Sequence, residues 1–460
     1  MARPDRLGMQ DASFLYIEDD SSHMHIASVA IFEGPPPHHE EVEEMISSKL
    51  HHVPRYRQVV RFVPLEVGAP VWCDDPHFNL RYHVRHTALP SPGSVEQLQT
   101  LVGRVMSQKL DRSKPLWEMW VVEGLEDDRW AILSKTHHCM VDGVAGTDLM
   151  TALMDDSPTS EHPQPLRYRA DDLPSSLGLL TGAIRDGLSS PAEGLRMVRS
   201  ALSAPRRLVE QLGDIGEGLA TFRNFRNEGA ESALNGPVSP HRRWCWAETE
   251  LADIKKIRSE HGGTVNDVVL AVITRGFRDL LRERGEPVKD RFVRSLVPVS
   301  VRREDERGSY NNRVSAMFAE LPVGLADPVE RLSALHLQMR DLKEHHQAVA
   351  AESLTSISGF APPMLLALGA RLFSGLEQHA VQTVTTNVPG PQRRLYAAGR
   401  PMLTAYPYVP LAGSVRIGIA IFSYAGHLTF GITGDYDGAP DIDVLARGIE
   451  AGIVELIETV

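Results

Sequence analysis

Apolar residues along positions 1–156 follow two alternating patterns, short continuous runs and helically spaced positions. The short runs are bounded by turn residues and predict strands over 25–32, 117–122 and 130–136. The helically spaced positions predict helices over 40–50, 94–110 and 144–154. The second of these helices begins at Ser94 and Gln97, whose spacing allows each side chain to bond a backbone amide of the first turn.

Positions 241–460 repeat this mixture. Apolar runs predict strands over 293–301, 381–388, 415–424 and 427–433, the last two joined as a hairpin at Ala425 and Gly426. A long amphipathic helix follows Thr264, and further helices are predicted over 329–345 and 442–457. Strands that alternate with helices in this way imply α/β layers.

The segment 157–240 differs from both flanks. Pro and Ser punctuate its two ends, and its apolar positions keep a helical spacing interrupted by many glycines, which weaken helices. We interpret it as a mobile helical connection, which is either an ordinary crossover packed on the body or an adjustable lid or membrane-facing surface. The predicted organisation is therefore an N-terminal half over 1–156, a helical linker over 157–240 and a C-terminal half over 241–460.

Composition narrows the class of protein. With 460 residues, 42% hydrophobic and 23% charged, the chain is ordinary for a globular protein, which excludes disordered, collagen-like and coiled-coil classes. The net charge of −12 argues against a nucleic-acid partner. Three isolated cysteines form neither a disulfide framework nor a zinc motif, so a reducing cytoplasm is expected. We expect no signal peptide and no transmembrane segment.

The candidate chemistry lies at residues 137–143, HHCMVDG. A predicted strand leads into His137 and His138, and if the strand continues through them, only one of the two rings can project into a given cavity. Asp142 falls in the turn that follows, where a carboxylate can fix a loop or orient a ring. Gly143 supplies backbone angles that such a turn requires.

This arrangement suits general-base catalysis, because a neutral imidazole with an ordinary pKa of about 6.5 can take a proton from a hydroxyl near neutral pH. No GxSxG motif occurs, so a serine acyl-enzyme lacks its usual sign. Cys139 is either a nucleophile or a small buried side chain, and the buried role is favoured because no separate triad signature exists. No Glu lies within the stretch to form a zinc-protease motif, and no metal is expected.

The stretch matches the HHxxxDG signature of the CoA-dependent acyltransferase superfamily, which includes chloramphenicol acetyltransferase and peptide-synthetase condensation domains. Four flanking motifs narrow the resemblance: DASFL at 11–15, PLW at 115–117, ND at 266–267 and NVPGP at 387–391. Together they resemble the bacterial wax ester synthase/acyl-CoA:diacylglycerol acyltransferase family over essentially the whole chain.

The resemblance implies an α/β fold of two chloramphenicol-acetyltransferase-like mixed-sheet halves, joined by the helical crossover, with a substrate tunnel between them. It implies that His138 deprotonates an acceptor hydroxyl, which then attacks an acyl-CoA thioester, while Asp142 shapes the site with His137 and Gly143 in support. The substrates would be acyl-CoA and diacylglycerol or a long-chain alcohol, without a cofactor. Peripheral association with the inner membrane face or lipid inclusions would follow.

Roles for the flanking motifs stay open. Asn266 and Asp267 lie at a predicted helix start, where they either cap the helix or contact substrate. Thr386 either assists an oxyanion or satisfies a turn, and Asn387 follows it as a candidate substrate contact. The PLW motif is more typical of core, and the apolar stretch 360–373 fits either an acyl pocket or core.

Two other functions remain compatible with the sequence. One is a condensation-type transferase that takes its acyl group from a carrier protein. The other is a catalytically silent lipid-binding protein on the same fold, against which the complete His138 and Asp142 pair argues.

Overall fold

The computed structural model describes residues 5–141, 146–164, 168–189, 232–300, 314–357 and 381–460. The strands are β1 Asp5–Arg6, β2 His25–Glu33, β3 Gln58–Arg61, β4 Val71–Asp74, β5 Val84–Ala88, β6 Trp117–Leu125, β7 Arg129–His137, β8 Arg242–Glu250, β9 Val293–Ser300, β10 Val314–Leu321, β11 Thr383–Pro389, β12 Tyr396–Ala397, β13 Arg400–Tyr408, β14 Ile417–Tyr424 and β15 His427–Asp435. The helices are α1 Met9–Ile17, α2 His39–Lys49, α3 Leu80–His83, α4 Val95–Met106, α5 Gly146–Leu153, α6 Ser176–Ser189, α7 Leu251–His261, α8 Val265–Glu283, α9 Pro328–Ile357 and α10 Ile442–Ile457.

The first large sheet has the strand order β12-β13-β2-β7-β6-β5 within the described residues. Only the β5–β6 pair among them is parallel. Strand β7 lies in the interior of the sheet, with β2 on one side and β6 on the other. Trp130 and Ile132 on one face are buried in one apolar cluster, and Ala131 and Leu133 on the other face are buried in a second cluster. The strand that leads to the candidate site is therefore paired along both edges and packed on both faces.

The second large sheet has the order β10-β9-β11-β14-β15-β8 and also mixes parallel and antiparallel pairs. Its central strand β14 is buried at every position, and helices α8 and α10 contribute to the apolar cluster on one face. A small sheet of β1, β4 and β3 accompanies the first half.

Strand β13 links the two halves. It comes from the C-terminal part of the chain but pairs with β2 of the first sheet, with Ala405 opposite Ala30. On its other side, the hydroxyl of Thr429 in β15 donates to the carbonyl of Ala405 at 2.7 Å. The first sheet is consequently completed by residues that lie more than half the chain away in sequence.

The predicted fold class is confirmed as a mixed α/β architecture with two sheet-rich halves. The helix over 442–457 and the hairpin at Ala425 and Gly426 are found as predicted, and both turn residues have positive φ. In the central segment the described part contains α6, whereas residues 190–231 lie outside the described residues. The domain boundaries and the tunnel stay predictions. Within the described residues, no helix is both long and apolar enough to cross a bilayer.

Candidate functional site

The strand that carries the paired histidines ends between them. Strand β7 stops at His137, and a 3₁₀ turn over His138–Met140 begins at the next residue. The backbone amide of His138 donates to the carbonyl of Met24 at 2.8 Å, which fixes the start of the turn against the chain that enters β2. The two rings therefore point into different surroundings through a change of backbone conformation, not through continued strand alternation.

His138 is half-buried and stacks on Phe14 of α1, with ring centroids 3.9 Å apart and planes inclined by 23°. Within the described part of the chain, no other side chain or backbone forms a hydrogen bond with its ring. Burial lowers the pKa of His138 to about 4, although a hydrogen bond between the ring and its own backbone acts in the opposite direction. The imidazole is thus neutral at physiological pH and keeps a lone pair available.

His137 is in the opposite situation. It is 1% exposed, and both ring nitrogens are occupied. The backbone amide of Cys139 donates to Nδ1 at 3.2 Å, which leaves the proton on Nε2, and Nε2 lies 2.7 Å from Oε2 of Glu18. A ring with both nitrogens engaged inside the protein cannot take a proton from a substrate.

Glu18, which follows α1, is a residue of the site that sequence reasoning missed. Its side chain is 2% exposed, and the guanidinium of Arg112 lies 3.5 Å from Oε1. Burial alone would raise the pKa of Glu18, but the hydrogen bond from His137 and the positive charge of Arg112 more than offset it, and the pKa is lowered. Nε2 of His25 lies 3.9 Å from Oε2 of Glu18. The carboxylate is therefore ionised within a group of basic side chains.

Cys139 is fully buried, and burial raises its pKa well above the ordinary value. Because the thiolate is the reactive form, a thiol with a raised pKa is a poor nucleophile. The interpretation of Cys139 as a small buried side chain is confirmed.

Asp142 and Gly143 lie outside the described residues, and so does the apolar stretch 360–373. Their predicted roles remain predictions. Within the described part of the chain, no group of three His, Cys, Asp or Glu side chains could hold a metal ion.

Asp267 serves the start of α8. Its Oδ2 accepts from the amide of Thr264 at 2.8 Å, while the hydroxyl of Thr264 accepts from the amide of Asp267 at 3.3 Å. Oδ2 also lies 2.9 Å from Nδ1 of His336 in α9. These contacts are those of a reciprocal helix cap. Asn266 beside it is half-buried, and substrate contact by either residue stays a prediction.

Thr386 and Asn387 lie in β11, opposite Ala420 and Ile421 of β14, and both are half-buried. The next residue, Val388, packs against the apolar cluster that contains Cys139 and Met140. The end of β11 and the turn after His137 thus border the same cluster, although they belong to different halves.

Of the PLW motif, Leu116 and Trp117 are each 1% exposed, which confirms their assignment to the core.

Comparison with known proteins gives matches over almost the whole chain. Two family models match: the wax ester synthase/diacylglycerol acyltransferase catalytic domain over residues 7–269, and the WS/DGAT C-terminal domain over residues 310–457. A probable diacylglycerol O-acyltransferase of Mycobacterium tuberculosis is 38% identical over 451 residues, covering 97% of this chain and 94% of the relative.

Solved structures agree with this at the level of the fold. The wax ester synthase/diacylglycerol acyltransferase of Marinobacter aquaeolei VT8 superposes with a TM-score of 0.70 at 24% identity, covering 99% of each chain. The trichothecene 15-O-acetyltransferase of Fusarium sporotrichioides gives a TM-score of 0.59 at 14% identity, covering 98% of this chain and 94% of the other.

Proposed function

We propose that this chain, which belongs to the wax ester synthase/diacylglycerol acyltransferase family, moves a long-chain acyl group from acyl-CoA to the hydroxyl of diacylglycerol. Its membership of the family makes it an acyltransferase, and the proposal adds the donor and the acceptor. His138 is the general base of this transfer. Long-chain alcohols are a second acceptor class, which would give wax esters. The family resemblance drawn from the sequence motifs is confirmed, whereas the donor, the acceptor and the base belong to this proposal.

The observation that carries the proposal is the contrast between the two adjacent histidines. Both nitrogens of His137 are engaged by Cys139 and Glu18, whereas the ring of His138 is half-buried, neutral and without a hydrogen bond to another described residue. A base must be unprotonated and reachable by its substrate. Of the pair, His138 meets both requirements.

The reaction follows from that ring. The acceptor O–H gives its proton to the free ring nitrogen of His138 as the oxygen attacks the thioester carbonyl carbon. The tetrahedral intermediate then collapses, the C–S bond breaks, and the CoA sulfur takes the proton from the imidazolium. The products are an ester and free CoA, and His138 returns to its neutral form.

Other predicted contacts fit around this step without being needed for it. The hydroxyl of Thr386 would stabilise the developing oxyanion, and Asn387 and Asn266 would contact substrate, while Asp267 would either cap α8 or contact substrate. Asp142 and Gly143 would shape the turn after His138. Peripheral association with a membrane or a lipid inclusion would bring the apolar acceptor to the enzyme.

Replacement of His138 tests the assignment of the base. His138→Ala should lower CoA release by about 100- to 10,000-fold, the usual contribution of a positioned base. His83→Ala is a matched control, because burial also lowers the pKa of His83 to about 4 and its ring stacks on Trp117. His83→Ala should lower stability but keep the turnover of the folded fraction. Near-normal turnover in folded His138→Ala would refute the base.

A substrate panel separates this function from its alternatives. The measurement is thiol release from one long-chain acyl-CoA with diacylglycerol, with hexadecanol and without acceptor, and from the same acyl group on a carrier protein. We expect acceptor-dependent release from acyl-CoA. Release only from the carrier protein would favour a condensation-type enzyme, and lipid binding without release in any arm would favour a silent binding protein.

A further inference from the structure

Two residues at one end of the first helix contact the two adjacent histidines. We propose that Glu18 is a positioning residue for acyl transfer, which acts through His137 on the placement of the His138 ring. This inference rests on the proposed role of His138 as base. In this role Glu18 contacts His137 and does not itself contact substrate or the reacting atoms.

The first step of the argument is the fixed orientation of His137. Its Nδ1 accepts from the amide of Cys139 at 3.2 Å, and its Nε2 donates to Glu18 at 2.7 Å. A carboxylate on one nitrogen determines the tautomer and the rotation of a histidine ring, as it does for metal-binding histidines. With the ring held in this way, Nδ1 anchors the first turn after β7, and that turn begins at His138.

The second step is that Glu18 and Phe14, the stacking partner of His138, belong to the same end of α1. The amide of Glu18 donates to the carbonyl of Phe14 at 3.3 Å, which is the last helical bond of α1. Residues four apart on a helix lie on one side of it, so Phe14 and Glu18 form adjacent contacts one turn apart. Phe14 covers His138 while Glu18 holds His137, and α1 is thereby aligned with both rings.

The third step is the support of Glu18. The guanidinium of Arg112 donates to the carbonyl of Leu15 at 2.9 Å and lies 3.5 Å from Oε1 of Glu18. Arg112 therefore ties the end of α1 to the chain that precedes β6. A buried carboxylate without such partners would be strongly unfavourable. Here its charge is balanced on one side by Arg112 and hydrogen-bonded on the other by His137.

The test compares Glu18→Gln, Glu18→Ala, His137→Ala and the Glu18→Ala/His137→Ala double variant in the full chain. Glu18→Gln keeps an oxygen that accepts from His137 but loses the charge, so we expect kcat to fall about 3- to 10-fold. Glu18→Ala should lower kcat about 10- to 100-fold, because a small misplacement of a catalytic group has an effect of this size. KM for acyl-CoA should stay within about twofold in each variant.

The double variant distinguishes positioning through His137 from a separate effect. If Glu18 acts through His137, removal of both should cost no more than the larger single loss. Losses that multiply would overturn the proposal, and so would wild-type kcat in folded Glu18→Gln. His138→Ala is run alongside, since near-normal turnover in that variant would refute the base and the positioning together, whereas loss of turnover in His138→Ala with wild-type kcat in folded Glu18→Gln would refute the positioning alone.

A matched carboxylate controls for stability. Asp155 is also 2% exposed at its side chain, and it is bonded to His162 at 3.1 Å and to Lys49 rather than to a histidine of the site. Asp155→Asn should lower stability without changing kcat per folded molecule. Equal losses of kcat in Asp155→Asn and Glu18→Gln would mean that any buried carboxylate has this effect, and would overturn the specific role of Glu18.

Discussion

At the scale of single residues, burial sets the pH range in which His138 can act. An ordinary histidine with a pKa of about 6.5 would be mostly protonated at pH 5, and as a base it would lose about 30-fold in rate there. The pKa of His138 is lowered to about 4, so the ring stays neutral down to that pH. The pKa of Glu18 is lowered as well, because the hydrogen bond from His137 and the charge of Arg112 favour its ionised form.

We therefore predict that kcat/KM is constant between pH 8 and about pH 5 and falls only as the pH approaches 4. The sign follows from the active form: a base with a lowered pKa loses its neutral form only at lower pH. The measurement is CoA release against pH, with circular dichroism to confirm folding at each pH. An acidic limb centred near pH 6.5 would contradict the prediction.

Exposure of the His138 ring to water should raise its pKa again. Phe14→Ala removes the ring that stacks at 3.9 Å, so water can solvate the imidazolium and the pKa should rise towards its ordinary value. The acidic limb should then move up into the range between about pH 5 and 6.5. Phe78→Ala, which uncovers His83 at 5.3 Å in another stacked Phe–His pair, should leave the profile unchanged.

What the sequence could reveal about the site depends on sequence distance. The histidine pair and its turn are contiguous, so residues 137–143 could be identified from the sequence alone. Glu18 lies 119 residues before His137, and only the folded chain brings them to 2.7 Å. A single acidic residue after a short apolar segment carries no local signal, because charged residues in such places are usually solvated.

At the scale of elements, the two interpretations of Asp267 can be separated. Asp267 shares a reciprocal cap with Thr264 and contacts His336. If capping is its role, Asp267→Ala should lower the free energy of unfolding by about 1–2 kcal/mol, while KM for both substrates stays unchanged. Asp267→Asn, which keeps the accepting oxygen, should lose less. The checks are urea unfolding and steady-state kinetics; a raised KM with unchanged stability would indicate substrate contact instead.

A buried lysine forms hydrogen bonds at the C-terminal end of α4. Lys135 is fully buried in β7, and its ammonium donates to the carbonyl of Val105 at 2.9 Å and to that of Gln108, just beyond α4. Both carbonyls lie at the helix end, where the regular helical hydrogen bonds stop, and the carbonyl of Val105 also accepts from the amide of Gln108 at 3.2 Å. Burial lowers the pKa of Lys135 to about 8. Between pH 8 and 10.5 the unfolded chain therefore binds more protons at this residue than the folded chain does.

Stability linked to Lys135 should consequently rise with pH over that interval. Lys135→Met should lower the free energy of unfolding at pH 7 by about 1–3 kcal/mol, since carbonyls lose their donor. The deficit relative to wild type should widen between pH 8 and 10. The exposed Lys255 gives a control, because Lys255→Met should change stability little at either pH. A deficit that stays constant or narrows with pH would contradict the lowered pKa.

The elements that the sequence predicted well are those whose signal is local. The helix over 442–457 agrees with Ile442–Ile457 because its apolar period is continuous. Strand β13 was not predicted, since its sequence RPMLTAYPY contains two prolines that weaken a strand pattern. Its partner β2 lies far away along the chain. Long-range pairing, not intrinsic preference, makes this segment a strand.

At the scale of the whole molecule, the two halves meet where β13 passes β15. Gly431 of β15 faces the carbonyl of Pro407 in β13, and a Cβ atom at position 431 would lie 1.7 Å from that oxygen. Pro407 itself pairs with Ser28 of β2. The close approach of the two sheets therefore depends on the absence of a side chain at Gly431.

We predict that Gly431→Ala destabilises both halves together. The new methyl group must push β13 away from β15, and overpacking of this kind costs about 1–3 kcal/mol or more. Because β13 completes the first sheet while it touches the second, separation exposes both cores. Gly182→Ala, at a glycine of α6 with no heavy atom within 4 Å of the added Cβ, should instead leave stability unchanged or raise it by up to about 1 kcal/mol. The coupling is checked by measuring amide hydrogen exchange in β7 and β14 as a function of urea concentration. In Gly431→Ala both strands should lose protection at the same urea concentration, which is lower than in the wild type. Loss of protection in β14 alone at low urea would show that the two halves unfold independently.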